Sequence, residues 1–161
     1  MFSTKSIALA ITGIFFLIYG VGVYWSSEPS SIDIHAEVTQ AAKAENVAPV
    51  VGYTTTTALI KVSETLLHKP GGYLSNDIMP PSLFLDNMPA WEFGVLEMVR
   101  DMALVMRKDF SRSQSQSLVN TYLQDAQPRF NIDNTNWAVP SAESEYGQAI
   151  KQLYAYRSAL V

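Results

Sequence analysis

The strongest feature of the hydrophobic pattern is an unbroken apolar run near the N-terminus. Residues 6–25 contain no charged side chain. As a helix with about 1.5 Å rise per residue, this run spans roughly 30 Å, the thickness of the hydrocarbon core of a bilayer. Tyr24 and Trp25 close it, and such amphipathic rings favour the membrane–water boundary. The pattern predicts a transmembrane helix over residues 6–25, which makes the lipid bilayer the first expected partner.

The charges on either side of this run predict its orientation. Lys5 and the terminal amine precede it, whereas no Lys or Arg follows before Lys43. Because positive flanks stay on the cytoplasmic side, residues 1–5 are expected in the cytoplasm. Residues 26–161 are then expected in the periplasm, and the bacterial inner membrane is the expected location.

A cleaved signal peptide is the alternative reading of the same run. Its apolar part is usually shorter and ends at a small-x-small site, which residues 20–22 imitate. Bulky side chains follow directly at residues 23–25, and the run is already long enough to span. A retained membrane helix is therefore favoured.

Beyond the membrane run, apolar positions recur mostly at helical spacing, and no strong strand pattern occurs. A polar segment, residues 26–31, predicts a linker. The first predicted helix is short, covers residues 36–45 and ends before Pro49. The second is capped by a threonine of 54–57 and ends near His68, and the third covers residues 91–110. The fourth contains Leu118, Val119, Tyr122 and Leu123 and ends at Pro128, and Ser141 caps the last one. The remaining segments are a polar turn at 111–117 and an extended stretch at 130–140.

The predicted helix over 91–110 carries two neighbouring apolar stripes. Their members are Trp91, Val95, Met98, Met102 and Val105 in the first, and Leu96, Val99, Ala103 and Met106 in the second. An apolar arc this wide predicts that the helix lies centrally or packs against two partners.

Residues 73–90 form a long segment that is irregular yet apolar. Three prolines and paired Asn and Asp residues disfavour a regular helix or strand. Long apolar loops in compact domains are often functional. We predict an ordered loop that packs five side chains against helix 91–110 or against a protein partner, namely Leu74, Ile78, Leu83, Phe84 and Leu85. The candidate partner-binding residues are these five with Tyr73 and Trp91.

Composition narrows the function classes. The 161 residues carry a net charge of −4, and residues 26–161 hold 10 basic and 15 acidic side chains. That balance disfavours nucleic acid as a partner. The chain has no cysteine, which excludes disulfides, thiolate zinc sites and cysteine nucleophiles.

No catalytic or metal-binding motif is recognisable, so we predict no cofactor, no metal and no catalytic residue. His35 and His68 lie far apart in sequence. Carboxylates beside aromatic rings are nevertheless what a sugar site needs. The residues that would form one are Asp77, Asp86 and Glu143 with Tyr73, Trp91 and Trp137.

Several motifs resemble one bacterial family. They are Gly52-Tyr53 with Thr54–Thr57, Lys69-Pro70-Gly71-Gly72-Tyr73, Asp86-Asn87-Met88-Pro89, Trp91-Glu92-Phe93-Gly94 and Glu143-Ser144-Glu145-Tyr146. The family is a domain of unknown function in proteobacterial proteins with one N-terminal inner-membrane span. The resemblance covers about residues 52–157 and implies a periplasmic domain, without a cofactor or catalytic residue. It also implies that members continue beyond Val161, so that this chain corresponds to their N-terminal part.

The sequence therefore predicts a mainly α protein. Its parts are a cytoplasmic N-terminus 1–5, a transmembrane helix 6–25, a linker with a short helix 26–51, and a helical periplasmic domain 52–161 with long irregular loops. The predicted function is a non-enzymatic, membrane-tethered accessory or interaction subunit of an envelope complex. The alternative is a periplasmic protein that binds or acts on cell-wall glycan.

Overall fold

A computed structural model describes residues 3–110 and 120–161. These residues form helices and connecting segments, and no strand occurs within the two ranges. The predicted polar turn 111–117 and residues 118–119 lie outside the described part. The elements are α1 (Thr4–Trp25), α2 (Ile34–Glu45), α3 (Tyr53–His68), a 3-10 turn (Ser82–Phe84), α4 (Asn87–Asp109), α5 (Thr121–Phe130) and α6 (Ala142–Ser158). The mainly helical class is thus confirmed.

Helix α1 contains the predicted membrane run and is long and apolar enough to cross a membrane. An 18-residue stretch of α1 has a mean hydropathy of 2.2, and Gly22 alone among the residues of the helix is buried by the rest of the chain. An apolar surface left open along nearly the whole helix is typical of a helix that lipid surrounds.

Helices α3 to α6 form a bundle around one core. Contacts run from α3 to α4, from α4 to α5, from α5 to α6 and from α6 back to α3. The largest core side chains include Ile60, Leu66, Leu96, Phe130 and Tyr146, none of them exposed. Helix α2 packs on α3 through a smaller cluster of Val38, Ala42 and Tyr53.

The starts of α2 and α3 differ from the predictions. Asp33 caps α2, its Oδ1 accepting from the Ala36 N–H at 3.1 Å, so the helix begins at residue 34. The predicted threonine cap of α3 is wrong, because Gly52 holds the cap position with φ of 90°. Thr56 instead donates its hydroxyl to the Gly52 carbonyl at 2.8 Å. The Ser141 cap of α6 is confirmed, its hydroxyl accepting from the Ser144 N–H at 3.3 Å.

Prolines also interrupt the chain less than predicted. Helix α4 begins at Asn87 and includes Pro89 in its first turn, where a missing N–H costs no helical bond. Pro128 lies inside α5, which continues to Phe130 because that ring is buried in the core. Asn46, in a left-handed conformation, ends α2 before Pro49 is reached.

Only one of the two stripes of α4 is fully covered. Its buried residues are Leu96, Val99, Ala103 and Met106, all of the second stripe, together with Met88 and Glu92. In the first stripe, Met98 and Val105 are exposed, whereas Trp91, Val95 and Met102 are half-buried. The predicted two packing partners of this helix are present, because α4 packs against both α3 and α5. The first stripe nevertheless stays partly open within the described residues.

Candidate functional site

A buried ion pair holds the segment after α3 against the start of α4. Lys69 Nζ contacts Glu92 Oε1, and neither side chain reaches solvent. Glu92 Oε1 also accepts from the Leu74 N–H and Oε2 from the Ser75 N–H, both at 2.8 Å. Lys69 donates to the Gly72 carbonyl. A buried charge is tolerable only when paired and hydrogen-bonded, and here each partner satisfies both conditions.

Sequence reasoning missed this pair, although a signal was present. Glu92 lies four residues before Leu96, on the stripe that the helical period assigns to the core. A carboxylate at such a position requires a buried cation or backbone donors nearby. Lys69 supplies the cation, and the amides of Leu74 and Ser75 supply the donors, because Gly71 and Gly72 adopt φ of 85° and 73° and fold the chain back between them.

The carboxylates proposed for sugar binding are only partly brought together. Asn76 Nδ2 donates to Glu143 Oε2 at 2.8 Å and to the Asn136 carbonyl at 3.1 Å, which joins the loop to the start of α6. Partial burial, followed by the negative charge of Glu143, raises the pKa of Asp77. Asp77 and Glu143 are therefore electrostatic neighbours, whereas Asp86 precedes α4 at the other end of the loop.

The aromatic residues of the same hypothesis are distributed over different environments. Tyr73 is buried, with its ring edge-on to Tyr146 at a centroid distance of 5.6 Å. Trp91 lines a groove beside the linker. Trp137 is 65% exposed and follows Asn136, the residue whose carbonyl holds Asn76. Of these three residues, Trp137 alone combines an open ring with a backbone position next to the contact between Asn136 and Asn76. No metal-binding cluster of three His, Asp or Glu residues occurs in residues 3–110 and 120–161.

The C-terminal end of α1 packs against the segment that connects α3 to α4. A Cβ on Gly22 would lie 3.3 Å from the Cβ of Pro81, so glycine permits the close approach. The ring of Trp25 covers Gly71, where a Cβ would meet Trp25 Cγ at 2.7 Å. Asn87 Nδ2 donates to the Ser26 carbonyl at 3.4 Å. The domain is therefore seated on the end of its own apolar helix.

The loop residues predicted to bind a partner separate into three groups by their exposure. Tyr73 and Leu74 are buried and unavailable to a partner, whereas Leu85 is half-buried beside Gly22. Ile78, Leu83 and Phe84 are exposed. The prediction that the loop packs these three side chains on α4 is therefore wrong. The 3-10 turn causes this outcome, because Pro81 and Ser82 face inward and their neighbours consequently face out.

A groove of about 430 Å³ lies beside the half-covered stripe of α4. Its walls are the linker from Glu28 to Ser30 with Ile32, the α3 residues Val62 and Thr65, and Trp91 and Val95 of α4. The linker therefore runs along the bundle and, together with Trp91 and Val95, lines this groove.

Comparison with known proteins gives a family and no individual relative. No curated protein and no solved structure matches the chain. The model of the family described as an uncharacterized protein conserved in bacteria, DUF2333, matches residues 2–161. This match includes α1 and α2, and so exceeds the 52–157 expected from the motifs. With the family model covering almost every residue, the chain belongs to the bacterial family DUF2333.

Proposed function

We propose that this protein is a non-enzymatic, membrane-tethered interaction subunit of a bacterial inner-membrane or envelope complex. In this proposal α1 spans the inner membrane, residues 1–5 are cytoplasmic and residues 26–161 are periplasmic. The length and hydropathy of α1 support the span. The lysine before it and the lack of basic residues between it and Lys43 support the orientation.

The observation that carries the interaction role is the half-covered first stripe of α4, which we call the α4 seam: Trp91, Val95, Met98, Met102 and Val105. Its members are four, three, four and three residues apart. This is the alternation by which one helix packs into the holes of another. Met98, at the centre of the seam, is 70% exposed. The seam thus has the spacing of a helix-packing surface. The described residues cover it only in part.

The chemistry of the seam favours an apolar helical partner. Burying a large aliphatic side chain contributes about 1.5–3 kcal/mol, so covering Met98 and Val105 is a sizeable gain. Methionine is unbranched and adapts to irregular surfaces, which suits a docking position. Asp101, exposed beside the seam, places a charge at its rim, where polar residues are usual in an interface.

Site-specific photo-crosslinking tests this role. A photoreactive phenylalanine analogue at position 98 of the full chain, expressed in its native membrane, should give a discrete adduct with a second protein. The same analogue at Lys151, exposed on α6, is the matched control and should give none. Mass spectrometry of the adduct identifies the partner, including a second copy of this chain.

Two results would contradict the proposal. One is a position-98 sample that stays monomeric under illumination in intact membranes. The other is equal adducts from positions 98 and 151, which would mean collision without a specific surface.

A second candidate function, glycan binding, is supported by the proximity of Asp77 and Glu143 and by the open ring of Trp137. Its test is sedimentation of the detergent-solubilised full chain with purified cell-wall sacculi. If the candidate is right, the protein co-sediments, and Trp137→Ala lowers its affinity for the sacculi by about two- to tenfold, since an aromatic stacking contact contributes about 0.5–1.5 kcal/mol. Phe93→Ala, also an exposed ring, is the control. A wild-type protein left wholly in the supernatant rejects the candidate.

A further inference from the structure

The segment from Ile78 to Leu85 lies beside the last turns of α1. Pro81 approaches Gly22, which is one helical turn before Trp25, and Leu85 Cδ2 would meet a Cβ on Gly22 at 3.9 Å. If α1 spans a bilayer with Trp25 at the water boundary, Gly22 lies on the hydrocarbon side of that boundary. The segment therefore reaches the depth at which the membrane begins.

The amino-acid composition of this segment suits the boundary between water and the hydrocarbon core. Residues 78–85 read IMPPSLFL and contain no charge, whereas Asp77 and Asp86 stand immediately outside it. Its outward side chains are 62–74% exposed in the isolated chain, and they are Ile78, Met79, Leu83 and Phe84. Such a cluster is unusual on a surface that faces water and marks a membrane or protein contact.

The backbone of the segment is also suited to an apolar environment. Phe84 N–H donates to the Pro81 carbonyl and Leu85 N–H to the Ser82 carbonyl, both at 2.9 Å. Pro80 and Pro81 have no N–H to satisfy. Unsatisfied backbone donors are what usually keep a loop out of lipid, and the turn satisfies several of them internally.

We propose that residues 78–85 insert into the interfacial region of the bilayer leaflet nearest the domain, as a second membrane contact beside α1. The inference rests on the proposed function, since it requires α1 to span. Lipid is the occupant because the patch is continuous with α1, so a protein covering it would have to displace the lipid around that helix. With its end seated on α1 and its loop in the interface, the bundle holds a fixed orientation to the membrane.

The absence of cysteine permits a clean fluorescence test. Full chains carrying Phe84→Cys, Val139→Cys or Ile14→Cys are labelled with an environment-sensitive fluorophore and reconstituted into phosphatidylcholine vesicles. Val139 is fully exposed and serves as the water reference, and Ile14 lies mid-way along α1. Nitroxide-labelled lipids and aqueous iodide are the two quenchers, and helix content by circular dichroism verifies the fold of each variant.

We expect the label at 84 to be blue-shifted, quenched by nitroxides near the headgroups, and several-fold less accessible to iodide than the label at 139. Emission at 84 that matches 139 in both quenchers overturns the inference. The label at 14 separates the two proposals. Quenching at 14 by deep nitroxides without quenching at 84 refutes the insertion alone, whereas no lipid quenching at either site refutes the membrane span as well.

Discussion

Replacing Glu92 by Gln is expected to lower the free energy of unfolding of the full chain by about 3–5 kcal/mol, the usual effect of breaking a buried ion pair from one side. The substitution keeps the shape of the side chain but leaves Lys69 charged and uncompensated in a site without solvent. It also weakens the hydrogen bonds that hold Leu74 and Ser75. Chemical denaturation of the detergent-solubilised protein, followed by circular dichroism, measures the change.

Two further variants identify the cause of that loss. Glu97→Gln, on the same helix, removes a half-exposed carboxylate whose pair with Arg100 lies near the surface, and should cost less than about 1 kcal/mol. Adding Lys69→Met to Glu92→Gln removes the orphaned charge and should recover part of the stability. A loss no larger in Glu92→Gln than in Glu97→Gln would show that the buried pair does not hold the loop.

Replacing Arg157 by Ala should destabilise the protein by about 3 kcal/mol and release α2 first. Its guanidinium donates to Glu45 of α2 at 2.6 Å and to Thr57 of α3 at 3.3 Å. It also lies over the rings of Tyr53 and Tyr154, at 5.2 and 4.9 Å from their centroids. Because one α6 side chain joins three helices, its loss leaves the Tyr53 hydroxyl as the polar contact to Glu45.

Hydrogen exchange resolved along the chain measures this effect. Amides of α2 should lose protection more than those of α4, and Arg157→Lys should recover only part of it, because lysine restores the charge without the planar fork. Lys151→Ala, exposed on the same helix, is the matched control. Uniform loss of protection across all helices would contradict the specific role of Arg157 in attaching α2.

These two networks bear on the proposed role as well as on stability. The Lys69 and Glu92 pair fixes the loop that reaches α1, and Arg157 fixes α2, which directly follows the linker. Together with the contacts of Gly22 and Trp25, they make the bundle and the end of α1 one packed unit. A subunit with this construction presents the α4 seam in a constant direction, which favours docking over free tethering.

The sequence by itself determined the features that depend on local signals. The apolar run of α1, the end of α3 near His68 and the Ser141 cap of α6 were all predicted and are present. Periodicity and backbone preference act within one or two helical turns, so a single chain displays them without its tertiary partners.

Only the tertiary structure decided which of the possible contacts are made. Both stripes of α4 are apolar in sequence, yet α3 and α5 cover the one containing Leu96 and leave Met98 open. Glu92 is a polar residue that the fold buries, because Lys69 and two loop amides from elsewhere in the chain contact it. Phe84 is an apolar residue that the fold exposes, because Pro81 rather than Phe84 packs against Gly22. Burial is a property of the assembled surfaces, and no local pattern specifies which surface arrives to cover a given side chain.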